Sequence, residues 1–245
     1  MTLLTIIQNV SDEVGIERPT SVIGTSDQTV RQLLALSNRA GKMLAREKPW
    51  TALTTEYTFS TVANTDAYDL PTDYMYHLDD TLYDRTTMWP MGLVTPQMWQ
   101  ANEAMNTLLV YGNFRIRGNE FCIAPTPTSV RTTAYEYISA NWCESSLGVK
   151  QSSWAADTDI GVLPEYLMEL GLIMLWKKTK GLNYADDYRH YTMEVSKAYA
   201  RDGGRHVINL AAGQNKAAGD AEVTGFMGVM NVDWEVAGPN WEDIL

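Results

Sequence analysis

The chain has 245 residues, and 19 Lys and Arg against 30 Asp and Glu give it a formal charge of −11. With 45% of residues hydrophobic and 20% charged it can bury a core along most of its length, which excludes wholesale disorder and collagen-like or coiled-coil composition. The acidity weighs against a protein whose main device is a basic face gripping phosphates.

Cys122 and Cys143 do not make a disulfide framework and suit a reducing compartment; they could pair, but nothing in their spacing requires it. The opening stretch lacks a basic n-region and a small-residue cleavage site, so it does not read as a signal peptide. No run reaches the roughly 18 apolar residues of a spanning helix, so no membrane partner is expected.

Leu3, Ile6, Ile7, Val10 and Val14 recur at steps of three and four and predict an amphipathic helix ended by Gly15. A second helix follows, with Thr25 and Gln28 as a capping box, a buried stripe of Val30, Leu33, Leu34, Ala40 and Leu44, and Pro49 as the stop. The two are expected to form an antiparallel hairpin. From Trp50 the period changes. Alternating and Tyr/Thr-rich stretches predict about four to seven strands between residues 54 and 140, including a hairpin turned at Gly118-Asn119. Thr95 and Pro96 open one short helix that runs to about Met105.

Pro164 opens a third long helix, with Lys177, Lys178 and Lys180 near its end and Gly181 beyond. A fourth starts near Asn183, carries Tyr184, Tyr188, Tyr191, Val195 and Tyr199 on one stripe, and stops at Gly203-Gly204. The fold class is therefore α+β: an antiparallel α-helical bundle from residues 1–49 and 156–203, an inserted β-rich domain with one short helix at 50–155, and an extended C-terminal arm at 204–245. The arm holds six of the 17 glycines yet also carries Val207, Ile208, Leu210, Phe226, Met227, Met230, Trp234 and Trp241. Such side chains find no core of their own in a Gly-rich segment, so docking on a neighbour is the expected use.

Catalytic signatures are missing: no GxSxG, HExxH, CxxC or dinucleotide fingerprint, and Gly41-Lys42 lies inside a helix without the upstream glycine of a phosphate loop. No cofactor or metal is expected. His77, His190 and His206 stand in three different segments. Asp157-Thr158-Asp159-Ile160-Gly161 lacks the bidentate glutamate of a calcium loop and reads better as a turn and cap before the Pro164 helix. Glu165 and Glu169 could form a glycosidase acid/base pair, but a first-turn carboxylate serving the helix dipole is the simpler reading. Tyr and Trp number 21 and are interface-prone; for Tyr57, Tyr135 and Tyr137 on strands, core and interface readings stand about even.

Taken in order, LLTIIQNVSDEVG, QLLALSNRAGKMLAREKPWTALTTEYTF, DRTTMWPMGLVTPQMWQA, YGNFRIRGNEFCIAPTP, YEYISANWC, WAADTD and LMELGLIMLWKKTKGLNYADDYRHY, spread over residues 3 to 203, resemble the head-to-tail adaptor proteins of tailed bacteriophages, the connector family that includes tail tubular protein A. The resemblance implies a virion structural protein without an active site, assembled in the host cytoplasm and placed in the neck of the particle. It further implies a homo-oligomeric ring, commonly a dodecamer, that binds the portal protein, docks a tail or nozzle protein and lets double-stranded DNA pass without sequence-specific binding. On that reading the arm (Val207, Ile208, Leu210, Phe226, Met227, Met230, Trp234, Trp241) meets the portal, Tyr57, Tyr83 and Trp89 of the β-rich domain meet the tail, and acidic groups line part of the lumen. The alternative is a tail-associated carbohydrate-binding or glycan-hydrolysing protein.

Overall fold

A computed structural model describes residues 1–105 and 112–203; the arm and its eight expected interface residues lie outside the described residues. Helix α1 (Leu3–Val14) starts at Thr2, whose hydroxyl accepts from the Thr5 N–H, and ends on Gly15 at φ 72°. Its buried stripe includes Ser11, which escapes an unmet hydroxyl by donating to the Ile7 carbonyl at 2.8 Å. Helix α2 (Gln28–Glu47) begins two residues later than the expected capping box. Asp27 is the cap, its carboxylate accepting from Thr29 N at 2.7 Å, while the Thr25 hydroxyl accepts from Asp27 N at 3.3 Å. Gln28 is then the first helical residue and stands too early to reach back to a cap at Thr25. At the other end the Trp50 indole donates to the Leu44 carbonyl at 2.8 Å, serving one of the acceptors that every helix end leaves open.

The strands follow as β1 (Thr54–Ser60), β2 (Ala67–Asp69), β3 (Tyr74–His77), β4 (Tyr83–Asp84), β5 (Trp89–Pro90) and β6 (Gly92–Leu93). Helix α3 (Pro96–Met105) has Thr95 accepting from Met98 N, as a cap should. After it come β7 (Asn113–Arg117), β8 (Glu120–Ala124), β9 (Thr132–Ser139), β10 (Cys143–Glu144), β11 (Lys150–Gln151) and β12 (Ile160–Gly161), then α4 (Glu165–Thr179) and α5 (Ala185–Arg201). Among the described residues nine strands therefore lie between residues 54 and 139, more than the sequence expectation, because β4, β5 and β6 are two-residue pairings too short to alternate visibly. The turn between β7 and β8 is at Gly118 and Asn119, both with φ above 60°, the left-handed pair that a two-residue hairpin needs.

One sheet orders its strands β1-β9-β4-β5, with β3 also on β9; a second runs β2-β8-β7-β6; a third joins β11-β10-β12. The first two face each other across an aromatic core in which Phe121 stacks on Tyr135 at 5.3 Å and on Phe114 at 5.1 Å. Such offset pairs add roughly 0.5–1.5 kcal/mol each beyond the area they bury. A separate core belongs to the helices. There α4 packs against α1, α2 and α5, and its Leu167, Met168, Leu172, Ile173, Met174, Leu175 and Trp176 are all buried, so it is apolar around its whole circumference. Helices α1 and α2 touch each other only slightly, so the expected hairpin gives way to two helices sharing α4. On α5 only Tyr191 and Val195 are buried; Tyr184 and Tyr188 are exposed, because the neighbouring α4 covers a narrower arc than five aromatic and apolar positions suggest.

The helical core also takes in Ile138, Trp142, Cys143 and Trp154 from the far end of the β-rich stretch. Trp142 is 1% exposed, donates its indole N–H to the Ser152 carbonyl at 2.9 Å, and meets Trp154 edge to face at 4.9 Å. Its ring lies on Gly41 of α2, where a β-carbon would stand under 3.0 Å from three ring atoms. The chain's exit from α5 is pinned as well: the Asp202 carboxylate accepts from Thr51 N at 2.8 Å and from its hydroxyl at 2.6 Å. Cys122 and Cys143 are both buried and free, and burial pushes the Cys143 thiol up to about 12. Among the described residues no helix is long and apolar enough to cross a membrane.

Candidate interaction surface

The residues singled out for chemistry are occupied with structure. The carbonyls of Asp157 and Asp159 accept from the Leu4 and Leu3 N–H groups and so cap α1, not the Pro164 helix. The Asp157 carboxylate also accepts from Ile23 N at 2.7 Å and from Val22 N, clamping the loop before α2, while buried Asp159 accepts from Ala155 N at 2.7 Å and Ala156 N at 2.8 Å. Glu165 pairs with the Met1 amino group, and Glu169 accepts from the Asn9 amide at 2.7 Å; the two serve the start and the flank of α1 rather than a shared cleft. His77 lies on β3 and His190 on α5, and His206 is outside the described residues. Among the described residues no group of three or more His, Cys, Asp and Glu could hold a metal ion.

What stands out on the surface is the β4–β5 hairpin and the chain that follows it. Directly opposed residues of an antiparallel pair share a face, and Tyr83 stands opposite Pro90 while Asp84 stands opposite Trp89. Tyr83 and Trp89, each about half exposed, therefore sit on adjacent strands but on opposite faces. Tyr57 belongs elsewhere: half-buried on β1, its ring stacks on Phe59 at 5.8 Å and meets Tyr135 at 5.7 Å within the aromatic core. The face that carries Tyr83 is polar. Glu56 and Glu136 oppose one another across β1 and β9, a like-charge pair that Arg85 offsets by binding Glu56 at 2.8 Å.

The hairpin is organised by a residue that sequence reasoning missed. Asp84 is 5% exposed; its Oδ1 accepts from Thr86 N at 2.9 Å and Thr87 N at 3.1 Å, and Oδ2 faces Arg131 at 3.4 Å. Burial by itself would raise this carboxyl, but the hydrogen bonds from Thr87 and Thr86 and the Arg131 charge outweigh it and hold the group below the usual carboxylate range. The bonds fix the loop that turns through Met88 at φ 60° and presents Met88, 84% exposed, beside Trp89. Leu93 and Met98 continue the exposed apolar series into α3. The run Asp84-Arg85-Thr86-Thr87 carried the signal, an Asx turn, yet an aspartate in a polar stretch reads by default as solvent-facing.

Replacing Asp84 by Asn should cost about 1–3 kcal/mol at neutral pH, the range for an uncompensated buried polar group. Because the folded carboxyl is held low, its stabilising share is complete above the unfolded value of about 3.9 and fades as pH falls through the folded one. Urea unfolding of both proteins should show a constant gap from pH 5 to 8 that closes in stronger acid; a gap unchanged down to pH 2 would mean that the charge is not involved.

Residues 1–208 match the family model described as SU10 adaptor protein. No curated protein matches the chain. The match meets the resemblance read from the motifs at the level of the phage adaptor and does not reach its finer likeness to tail tubular protein A. With helices, sheets and exposed hairpin all inside the matched span, the chain belongs to the SU10 adaptor protein family and is a phage adaptor-type structural protein.

Proposed function

We propose that the chain is a head-to-tail adaptor of the tail tubular protein A kind, which assembles as a ring, a dodecamer, beneath the portal in the virion neck. The observation that carries this reading is the adaptor family match over residues 1–208, which leaves most of an acidic, aromatic-bearing segment to follow it. In this reading residues 1–49 and 156–203 form a helical body, residues 50–155 an inserted β-rich domain that faces the tail through Tyr83, Trp89 and the exposed residues around them, and residues 204–245 the arm that binds the portal. Tyr57, its ring turned into the aromatic core, serves the β-rich domain from within. The ring extends the DNA channel, helps to retain the packaged genome and docks a tail or nozzle protein. Acidic side chains line part of its bore, so phosphates meet repulsion rather than a continuous grip.

Ring closure needs heterologous contacts, in which different patches of each copy meet. Light scattering of the full chain, alone and with purified portal, tests the assembly. The expected result is a closed multi-copy species on the portal; a chain that stays monomeric beside an intact portal would remove the reading.

A further inference from the structure

The acidic total conceals one basic element. Between Gln28 and Lys48 there are five of the chain's 19 basic residues and a single acid, Glu47. Four of them, Arg31, Arg39, Lys42 and Arg46, are exposed, and at about 100° per residue they fall within an arc of about 80° on one side of α2. The strip runs about 22 Å along the helix, from the rise of about 1.5 Å per residue. Among the described residues none of the four has an acidic partner, although other cations of the chain do. At the N-terminal end Lys180 joins the strip, donating to Gln32 at 3.0 Å while lying 4.4 Å over the Trp176 ring.

We infer that this outer face of α2 is a contact strip for the phosphate backbone of double-stranded DNA. Charge complementarity selects an anion, and the composition of the face selects which kind. A protein-binding face centres on apolar or aromatic anchors with charge at its rim, whereas here Ala35 and Asn38 lie between the cations, Met43 and Glu47 border the same shallow groove, and no aromatic residue lines it. Duplex DNA presents about one negative charge per 1.7 Å of axis, so a straight row of side chains meets phosphates along its whole length. Screening makes the local field decisive: at 0.1 M salt the Debye length is about 10 Å, and the acidic remainder of the molecule is largely hidden from a duplex lying on the strip. The strip offers only four or five cations per copy, which suits sliding contact better than tight capture. The inference goes beyond the conduit reading and concerns the isolated chain, so it stands or falls independently of ring formation.

The test uses the full-length chain and a fluorescent 30-base-pair duplex of arbitrary sequence, read by anisotropy. Four phosphate contacts predict that affinity falls about 100-fold between 50 and 200 mM salt. The double variant Arg39→Glu/Lys42→Glu should lose at least about 10-fold at 50 mM, since charge reversal removes two contacts and adds repulsion. Both positions are exposed and unpartnered among the described residues, so its circular dichroism and melting should match the parent. The control Lys150→Glu/Arg189→Glu changes net charge equally and should bind as the parent does. Absence of duplex binding at 50 mM, equal losses in the two variants, or tighter binding of polyglutamate than of the duplex by the same strip would each overturn the inference, the last by assigning the strip to an acidic protein surface. Ring formation measured separately by light scattering distinguishes this failure from that of the adaptor reading.

Discussion

Replacing Trp142 by Ala is expected to cost about 3–5 kcal/mol, the range for emptying a large buried aromatic site. The ring is almost fully buried, and its removal strips contacts from Gly41 and Trp154 and leaves the Ser152 carbonyl without its indole donor. Against a typical total of about 5–15 kcal/mol that loss would remove a large share of the protein's stability. Urea denaturation followed by circular dichroism measures it. The partner substitution is more diagnostic. Gly41→Ala forces a β-carbon into the ring, and the hydrogen bond to Ser152 prevents the ring from retreating, so a loss of about 1–3 kcal/mol is expected. Combining Gly41→Ala with Trp142→Phe, whose smaller ring makes room, should cost clearly less than the two single losses together. Strict additivity would mean that α2 and Trp142 are not in close contact, and the joint between the helical core and the end of β9 would need another explanation.

Deleting residues 204–245 is expected to abolish attachment to the portal while leaving the remaining chain folded. Among the described residues both hydrophobic cores are assembled from side chains that precede residue 204, so the urea midpoint should stay within error of the parent. Binding energy in protein interfaces concentrates in a few aromatic and large apolar anchors, and the deleted stretch contains Phe226, Met230, Trp234 and Trp241. Co-sedimentation with purified portal reads the attachment, and Trp234→Ala with Trp241→Ala in the intact chain provides the finer version. Portal binding that survives the deletion would move the portal-binding role to another part of the chain.

Much of the helical architecture was legible because it is local. The step of three and four in α1, its Gly15 stop, and Pro164 with the following lysines all report on residues within a turn or two of each other. The Gly118-Asn119 turn was legible for the same reason. What escaped was long-range or too short. The two-residue strands are defined by their pairings, β4 with β9 and β5, and β6 with β7, and nothing in a dipeptide announces a partner. Trp142 and Trp154 sit in a region of strand composition but are buried with helices, a fact set by where β9 ends. On α5 the row of tyrosines exceeds the width of the surface it packs on, and periodicity counts apolar faces without measuring what covers them. The basic strip was hidden by arithmetic. A net charge of −11 describes the whole chain, and α2 is the place where that average misleads.

The pin between Asp202 and Thr51 has a mechanical meaning. Thr51 lies three residues before β1, the strand paired along its full length with β9. Tension applied to the chain beyond residue 203 would be shared at once between α5 and the entrance of the large sheet, two hydrogen bonds acting as a cleat. A load arriving from the C-terminal side would therefore be felt by β1 before α5 had given way, and Thr51→Ala, which removes one of the two bonds, should let the last turn of α5 peel first under force.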